Sequence, residues 1–302
     1  MLNVGLEEHL YGYGTDDDLV SLILTASQTA IEIRNELPYK METAKTHNIF
    51  GETQKAIDVW ADEELIDAFR KSALIKNYGS EEQDGVIPLN DNGKYYVRTD
   101  PMDGSSVLVK NNPVGTIISV YDKDGLLEGK YQVAAMYFLY SSLFTFVCTT
   151  GKGVHEYIYM PKKREFVLQR ENINLPEKGK FIGIAGPRRG WLSEEFRKFV
   201  EDLEREEDLK PRYTGCFVLD INHQKEGGGF FGYPTFKDRP HGKLRLDYEL
   251  KAMAKIIEEA GGASSDGKRS LLEIKPTSPY QTSPAFLGND YLIERLEKTL
   301  NE

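Results

Sequence analysis

The sequence predicts an α/β fold built in two halves, on the strength of three observations. Apolar residues recur at helical spacing between Leu19 and Ile33. Short apolar or alternating runs, separated by turn residues, follow from about residue 95 to residue 160 and indicate strands. Helical and extended patterns alternate again in the last third of the chain. A length of 302 residues is enough for one large domain or two ordinary ones.

The first half is predicted to open with two helices and a loop between them. The run Thr15-Asp16-Asp17-Asp18 favours a helix start, because carboxylates are favourable at the positive end of the helix dipole. This helix is predicted to end before Pro38. Residues 38–54 lose the periodicity and are predicted to form a loop, long enough to be a lid or a disordered connection. The second helix is predicted from Lys55 to about Lys71.

Extended segments dominate the rest of the first half. The predicted strands are Tyr95–Thr99, Val114–Tyr121, Gln132–Tyr140, Leu143–Thr149 and His155–Met160. The segment Glu171–Lys180, which contains Pro176 and Gly179, is the weakest part of the pattern. We therefore predict an N-terminal domain over residues 1–178 and a C-terminal domain over residues 179–302.

The second half mixes strands and helices. Its predicted strands are Phe181–Ile184, Cys216–Ile221, Lys243–Leu246 and Ala285–Leu287, and its predicted helices are Leu192–Leu209 and Asp247–Ala260. The last of these helices is expected to stop at Gly261-Gly262.

Composition excludes several classes of protein. A net charge of −10 argues against a nucleic-acid partner, because such binding relies on Lys and Arg. No apolar run approaches the ~20 residues that span a bilayer, and the first residues do not read as a secretory signal, so we expect a cytoplasmic protein without membrane contact. The only cysteines, Cys148 and Cys216, rule out a disulfide framework and a Cys-based zinc site.

The segment Thr99–Ser106 carries the strongest chemical signal. Asp100 and Asp103 stand three apart on a turn that Pro101 stiffens, and carboxylates of this kind attract hard divalent cations. Gly104-Ser105-Ser106 can open a helix whose free N–H groups face an anion. A cation on one side and a phosphate on the other is the arrangement that hydrolyses a phosphate ester.

Further acidic residues are candidates for the same site. Glu81 and Glu82 precede the strand that ends in Asp100, Glu52 and Asp58 flank the start of the second helix, and Glu249 follows a strand at the start of a helix. Taken singly, each is better explained as a solvated loop residue or a first-turn acid. The hypothesis of one metal site depends on their convergence.

Further motifs stand in order along the chain: Asn48-x-x-Gly51-Glu52-x-x-Lys55-x-x-Asp58, Ser80-Glu81-Glu82, Gly93-Lys94-Tyr95, Val114–Ile117, Arg212-Tyr213-x-Gly215, Tyr233-Pro234 and Ala260-Gly261-Gly262. Together with the turn Asp100–Ser106 and the block Gly242–Glu249, these motifs resemble class I fructose-1,6-bisphosphatases, members of the lithium-sensitive phosphatase superfamily of sugar bisphosphatases, over about residues 14 to 289. The turn Asp100–Ser106 is shared with inositol monophosphatases, whereas the block Gly242–Glu249 is more specific to the bisphosphatases.

The resemblance implies a layered α/β/α/β/α sandwich, with two mixed sheets and helices between and outside them. It also implies removal of the 1-phosphate of fructose 1,6-bisphosphate by a homotetramer that uses two or three Mg2+ ions, with Mn2+ as an alternative. The implied metal ligands are Glu52, Glu81, Asp100, Met102 through its carbonyl, Asp103 and Glu249, and the implied catalytic residues are Asp58 and Glu82. The implied substrate-binding residues are Asp103, Gly104, Ser105, Ser106, Arg212, Tyr213, Tyr233, Lys243 and Arg245, of which Arg212 would reach into a neighbouring subunit's site.

Three departures from the family pattern bear on regulation and sugar specificity. Asp122 stands where relatives inhibited by adenosine monophosphate carry an arginine, although Lys94 and Tyr95 of that site are present. The usual asparagine-to-tyrosine motif for the distal phosphate is replaced by Gly186–Trp191, whose two arginines either bind that phosphate or form a solvated helix entry. Val107 and Val109 replace polar residues that normally follow the serine pair.

Three other functions remain open on the sequence. Sedoheptulose-1,7-bisphosphatase activity needs the same metals and differs in the sugar pocket. An inositol-phosphate or nucleotide 3′-phosphatase fits the Lys243–Glu249 block less well. A sugar-phosphate sensor without turnover is disfavoured by the full set of acidic residues.

Overall fold

The computed structural model describes residues 4–40, 43–47 and 53–302. None of the helices in these ranges combines the length and the hydropathy that a membrane-spanning segment requires. The α-helices are α1 (Leu6–Gly12), α2 (Asp17–Glu36), α3 (Ala56–Ser72), α4 (Ser105–Leu108), α5 (Glu194–Glu206), α6 (Phe217–Gly227), α7 (Lys251–Glu259) and α8 (Asp290–Asn301). Leu246–Leu250 forms a π-helical turn directly before α7.

The first half of the chain supplies a short hairpin and the larger sheet. The strands are β1 (Thr43–His47), β2 (Thr53–Lys55), β3 (Ile75–Ser80), β4 (Val86–Pro88), β5 (Tyr95–Asp103), β6 (Val114–Tyr121), β7 (Gln132–Tyr140), β8 (Thr145–Thr149), β9 (Val154–Met160) and β10 (Glu165–Arg170). The larger sheet has the order β10-β9-β8-β7-β6-β5-β3-β4, and its neighbours are antiparallel except for the parallel pair β3 and β5.

The second half supplies a smaller mixed sheet and a two-stranded pair. The strands are β11 (Phe181–Ile184), β12 (Lys210–Pro211), β13 (Gly229–Tyr233), β14 (Leu244–Arg245), β15 (Ala263–Ser265), β16 (Thr282–Ser283) and β17 (Ala285–Gly288). The smaller sheet has the order β12-β11-β13-β17-β15, in which β11 is parallel to both of its neighbours and β17 is antiparallel to both of its own. Strands β14 and β16 pair separately.

Three apolar clusters show how these elements are layered. One lies between α1, α2 and α3 and the larger sheet. A second fills the space between the two sheets, where α6 and α7 pack. The third lies between the smaller sheet and α5 and α8. The predicted α/β/α/β/α sandwich is therefore confirmed.

Strand β7 shows why the sequence specifies these layers. All its residues from Ala134 to Tyr140 are buried, because both faces of the larger sheet are covered. Met136 and Phe138 point to the outer helices, whereas Ala135 and Tyr137 point to the central layer. This two-residue alternation is the periodicity of a strand, and it assigns each side chain to one of two cores.

The prediction of a strand at Cys216–Ile221 was wrong, because this segment opens helix α6. A short apolar run does not distinguish a buried strand from a buried helix. Here Phe217, Val218 and Ile221 are buried, and so are the polar Gln224 and Lys225, because α6 lies between two sheets. Partial exposure on α6 is confined to Leu219, Asn222, His223 and Glu226, so the first residues of the helix show no polar face.

The expected loop over residues 38–54 also differs in its described part. Thr43–His47 and Thr53–Lys55 form an antiparallel pair, and Leu37–Tyr39 forms a 3-10 turn. Helices α2, α3 and α5 and strands β6, β7 and β11 follow their predicted ranges within a few residues. Helices α1 and α8 and strands β3, β4, β10 and β13 were not predicted.

We expect Gly229→Ala to destabilise the fold more than Gly125→Ala. Both glycines adopt a left-handed φ, +125° at Gly229 and +104° at Gly125, so alanine strains the backbone at each by about 1–3 kcal/mol. A Cβ at Gly229 would lie 1.8 Å from the carbonyl oxygen of Phe181 on the neighbouring strand, whereas nothing lies within 4 Å at Gly125. Urea unfolding of both variants measures the difference, and equal losses would contradict the close strand approach.

Candidate active site

The acidic turn lies where the buried strand β5 ends. The side-chain oxygen Oδ1 of Asp100 accepts a hydrogen bond from the backbone N–H of Met102 at 2.9 Å. Thr116 on the adjacent strand donates its hydroxyl to the carbonyl of Pro101 at 2.8 Å. These two bonds fix the backbone of the turn and the side chain of Asp100.

Gly104 allows the turn to approach helix α6. Its φ is +79°, and a Cβ there would lie 2.7 Å from the Cβ of Cys216. Only glycine meets both conditions without strain. This close contact joins the end of a first-half strand to the beginning of a second-half helix.

The start of α6 holds the Asp103 carboxylate. Oδ2 of Asp103 accepts a hydrogen bond from the N–H of Val218 at 2.6 Å, and the Cys216 thiol donates to the same oxygen at 3.1 Å. The free N–H groups of a first helical turn favour an anion at this position. Asp103 is thereby oriented by a different half of the chain from the one that carries it.

The π-helical turn Leu246–Leu250 brings Glu249 to the same place. Oε2 of Glu249 accepts a hydrogen bond from the backbone N–H of Arg245 at 2.5 Å. The N–H of Leu246 donates to the carbonyl of Gln281 at 2.8 Å, which anchors the start of the turn. Glu249 is 5% exposed, so the helix entry that carries it lies inside the molecule.

Three carboxylates from three segments converge in this region. Side-chain oxygens of Glu81, Asp100 and Glu249 all lie within 4.8 Å of one another. Asp100 is 2% exposed, and Nε of Arg245 lies 3.6 Å from Oε2 of Glu81. Oxygen ligands at this spacing, largely removed from water, match the preference of a hard divalent cation.

The electrostatics of the cluster show that the carboxylates repel one another. Burial, followed by the charges of Glu81, Asp103 and Glu249, raises the pKa of Asp100 well above its ordinary value. Burial raises the pKa of Glu249 to about 7, although the charge of Arg245 opposes this shift. Burial also raises the pKa of Asp103 against the opposing hydrogen bond from Val218. A bound cation would remove the repulsion, so the donor set fits a metal ion.

A cavity of about 330 Å³ opens onto these carboxylates. Fourteen of the predicted site residues line it: Asp58, Glu81, Glu82, Asp100, Met102, Asp103, Gly104, Ser105, Ser106, Tyr213, Tyr233, Lys243, Arg245 and Glu249. The lining therefore combines carboxylates with hydroxyl, phenol and cationic groups.

Two predicted site residues, Glu52 and Arg212, remain. Glu52 lies outside the described residues. Among the residues that the structure describes, Arg212 is not part of the cavity wall. Its guanidinium carbon lies 5.6 Å from the centre of the Phe181 ring, and Nη1 donates to the carbonyl of Pro211 at 2.7 Å.

Comparison with known proteins identifies the family. The family model described as the N-terminal domain of fructose-1,6-bisphosphatase matches residues 18–171, and the model of its C-terminal domain matches residues 175–301. This chain belongs to the fructose-1,6-bisphosphatase family.

Individual members of the family cover nearly the whole chain. A class 1 fructose-1,6-bisphosphatase from Geobacter metallireducens is 40% identical over 94% of this chain and 91% of the relative. One from Methanospirillum hungatei is 35% identical over 98% of this chain and 94% of the relative. The crystal structure of Leishmania major fructose-1,6-bisphosphatase in holo form superposes with a TM-score of 0.94 at 25% identity, covering 100% of both chains. The predicted family is confirmed.

Arg188 and Arg189, which depart from the fructose-1,6-bisphosphatase pattern, are not among the described residues that line the cavity. Arg188 hydrogen-bonds to Glu204, and its guanidinium carbon lies 5.9 Å from the centre of the Trp191 ring. Arg189 is exposed. Arg188 lines a second pocket together with Tyr213, which also lines the cavity, so both interpretations of this segment stay predictions. Val107 is buried, whereas Val109 is 61% exposed.

Sequence reasoning missed three contributors to the site. Asp220 lines the cavity, and Cys216 and the N–H of Val218 hold Asp103. All three belong to the segment that was interpreted as a strand. Asp220 could have been predicted from an aspartate at the fourth position of a helix that begins shortly after Gly215.

Asp220 has an unusual environment for a carboxylate. Oδ1 accepts a hydrogen bond from the N–H of Thr214 at 2.9 Å, and Asp220 is 1% exposed. Among the described residues, no protein group hydrogen-bonds to its buried Oδ2. Burial raises the pKa of Asp220 to about 7, against the opposing bonds from Thr214.

We expect Asp220 to make the folded state less stable as the pH rises from about 4 to 7. Its folded pKa is about 7, above the unfolded value of about 3.9, so the unfolded state binds fewer protons in this window. The stabilising contribution is complete below the unfolded pKa and is lost as the pH rises through the folded pKa. The loss over this window is about 3 kcal/mol, since each pKa unit corresponds to about 1.4 kcal/mol.

The measurement is urea unfolding of the unaltered chain and of Asp220→Asn from pH 4 to pH 7 in the presence of a chelator. The free energy of unfolding of the variant, relative to that of the unaltered chain, should increase as the pH rises. Asp91→Asn, which alters an exposed turn residue, serves as the control and should show no such trend. A difference that does not change with pH would contradict the raised pKa.

Proposed function

We propose that this chain hydrolyses the 1-phosphate of D-fructose 1,6-bisphosphate, giving fructose 6-phosphate and inorganic phosphate, a reaction suited to gluconeogenesis. The observation that carries the proposal is the convergence of Glu81, Asp100 and Glu249 beside the Gly104–Ser106 turn in one cavity. The relatives named above as fructose-1,6-bisphosphatases support it. Sedoheptulose 1,7-bisphosphate is the alternative substrate, because the same acids serve both sugars.

The metal ligands in this proposal are the converging carboxylates together with the neighbouring turn. They are Glu81, Asp100, the Met102 carbonyl, Asp103 and Glu249, together with Glu52, which lies outside the described residues. These ligands would hold two or three Mg2+ ions, with Mn2+ as an alternative. Divalent cations in such a site neutralise phosphate charge and lower the pKa of bound water. Phosphoryl transfer depends on this neutralisation and on positioning more than on covalent help from the protein.

Two further acids are proposed to orient the attacking water and accept its proton. Asp58 is 6% exposed and lies in the first turn of α3, where the helix dipole favours its charged form. Glu82 lines the same cavity, and its backbone N–H is held by the Ser80 hydroxyl at 3.2 Å. Either carboxylate acts as a base only from a position near the water that it deprotonates.

The other residues that line the cavity are proposed to bind the substrate. The N–H and hydroxyl groups of Gly104–Ser106, together with Asp103, would hold the 1-phosphate and the adjacent sugar. Tyr213, Tyr233, Lys243 and Arg245 would contact the sugar and the distal phosphate. Burial raises the pKa of Tyr233, although the charges of Lys243 and Arg239 oppose the shift, which places cationic charge near this phenol.

The assembly and the domain division are proposed as the sequence analysis expects them. Arg212 is exposed at the surface, which suits a contribution to a neighbouring subunit's site in a homotetramer. The division into residues 1–178 and 179–302 is proposed on the same basis. The tetramer, the cytoplasmic location and the absence of a nucleic-acid partner stay predictions.

We expect Asp103→Ala to abolish phosphate release while the fold remains intact. Asp103 lines the cavity and is held by α6, so its loss removes a proposed metal and substrate contact. Phosphate release is measured on fructose 1,6-bisphosphate, sedoheptulose 1,7-bisphosphate, inositol 1-phosphate and a nucleoside 3′,5′-bisphosphate, with and without Mg2+.

The unaltered chain should release phosphate fastest from fructose 1,6-bisphosphate and only with the metal. Asp91→Ala is the matched control and should retain activity. Retained metal-dependent turnover in Asp103→Ala would reject the assignment of this residue, and a preference for another substrate would reject the proposed function.

We expect adenosine monophosphate to inhibit this chain weakly or not at all. Nζ of Lys94 lies 2.8 Å from Oδ1 of Asp16 and 3.2 Å from Oδ2 of Asp18, so two acids already neutralise this cation. Asp122 directly follows β6 and is exposed, and its charge repels a phosphate. Initial rates over a nucleotide series test this, with Asp122→Arg as the comparison. Potent inhibition of the unaltered chain at micromolar nucleotide would contradict the expectation.

A further inference from the structure

Three ionisable residues next to the carboxylate cluster are almost completely buried. Arg98 is 3% exposed, Asp247 is 3% exposed and Lys251 is fully buried. None of them was singled out by the sequence analysis, and none lines the cavity described above. We refer to Arg98, Asp247 and Lys251 as the buried ion triad.

The contacts of the triad connect three segments. Nζ of Lys251 lies 2.5 Å from Oδ1 of Asp247 and donates to the carbonyl of Leu127 at 2.5 Å. Nε of Arg98 lies 3.8 Å from Oδ2 of the same aspartate. Both oxygens of Asp247 are therefore paired with a cation.

The Arg98 side chain is held in place by its surroundings. Nη1 donates to the carbonyl of Val97 at 2.9 Å. A Cβ on Gly79 would lie 3.0 Å from Cδ of Arg98 and 3.3 Å from Cε1 of Tyr248, so the glycine leaves room for both side chains. The guanidinium consequently has little freedom to turn away from Asp247.

Two residues of the triad share their elements with two residues of the carboxylate cluster. Arg98 precedes Asp100 by two residues on β5, so the two side chains lie on one face of the strand. Asp247 precedes Glu249 by two residues in the same π-helical turn. An attractive pair, Arg98–Asp247, is thus set beside the repulsive pair Asp100–Glu249.

We propose that the buried ion triad positions Glu249 against Asp100 before the metal binds. The carboxylates repel each other when no cation is present, and the neighbouring ion pair holds the turn against β5 in spite of that repulsion. Second-layer partners of metal ligands generally act in this way by fixing the orientation of the ligands. This inference rests on the metal site of the proposed function.

When Arg98 is removed, a direct electrostatic effect and a positioning effect would change the metal affinity in opposite directions. The positive charge of Arg98 lies near a site for cations, so removing it would strengthen metal binding if charge alone mattered. If Arg98 positions the turn, its removal weakens metal binding. Neutralising Arg98 therefore separates the two explanations.

The experiment compares three proteins with the unaltered full-length chain. Arg98→Met removes the cation and leaves the Asp247–Lys251 pair intact. The triple variant Arg98→Met/Asp247→Leu/Lys251→Met replaces the triad with apolar groups of similar size, a change that is often neutral or stabilising for a buried ionic group. The control Glu156→Leu/Lys225→Met removes a buried ion pair between β9 and the far end of α6.

Binding of Mn2+ is measured by the electron paramagnetic resonance signal of the free ion, alongside urea unfolding and the dependence of the rate on Mg2+ concentration. We expect Arg98→Met and the triple variant to bind Mn2+ roughly 10- to 100-fold more weakly. Their kcat at saturating Mg2+ should stay near that of the unaltered chain, and the triple variant should be at least as stable. The control should keep its Mn2+ affinity.

Unchanged or tighter Mn2+ binding by Arg98→Met and the triple variant would overturn the positioning inference alone. Weaker binding by the control to the same extent would also overturn it, because any buried ion pair would then have the same effect. If the unaltered chain neither binds Mn2+ nor hydrolyses the bisphosphate, the proposed function fails and the inference fails with it.

Discussion

The central physical constraint on this molecule is the mutual repulsion of carboxylates that the fold gathers out of water. Asp100 and Glu249 are nearly inaccessible to solvent, and both have raised pKa values because their charged forms are poorly solvated. Such an arrangement opposes folding unless other contacts compensate. The hydrogen bonds from Met102 and Arg245 and the close packing of three layers supply that compensation.

The layered architecture explains how acids from distant parts of the sequence meet. Helices α6 and α7 lie between the two sheets and therefore belong to both cores. The start of α6 reaches Asp103 on the larger sheet, and the turn before α7 reaches Asp100 on the same strand. The central layer thus carries second-half groups to the end of a first-half strand. The cavity lies at this junction, where strand ends and helix starts expose polar backbone groups.

The sequence allowed much of this arrangement to be predicted, and the failures have physical causes. The Asp100–Ser106 turn was recognisable because proline, glycine and paired acids impose a local conformation. Helix α2 was recognisable because its polar face contacts solvent. Helix α6 was mistaken for a strand because its first residues are mostly buried, and Asp220 was missed with it. The Arg98–Asp247 pair of the buried ion triad left no local pattern, since the two residues are 149 positions apart in the sequence.

The most direct test of the account is a crystal structure of the chain soaked in Mn2+ and recorded at the manganese absorption edge. The account predicts anomalous peaks within coordination distance of Glu81, Asp100 and Glu249, beside the Gly104–Ser106 turn. Peaks confined to other acidic surfaces, with these three carboxylates contacting only water or one another, would contradict it.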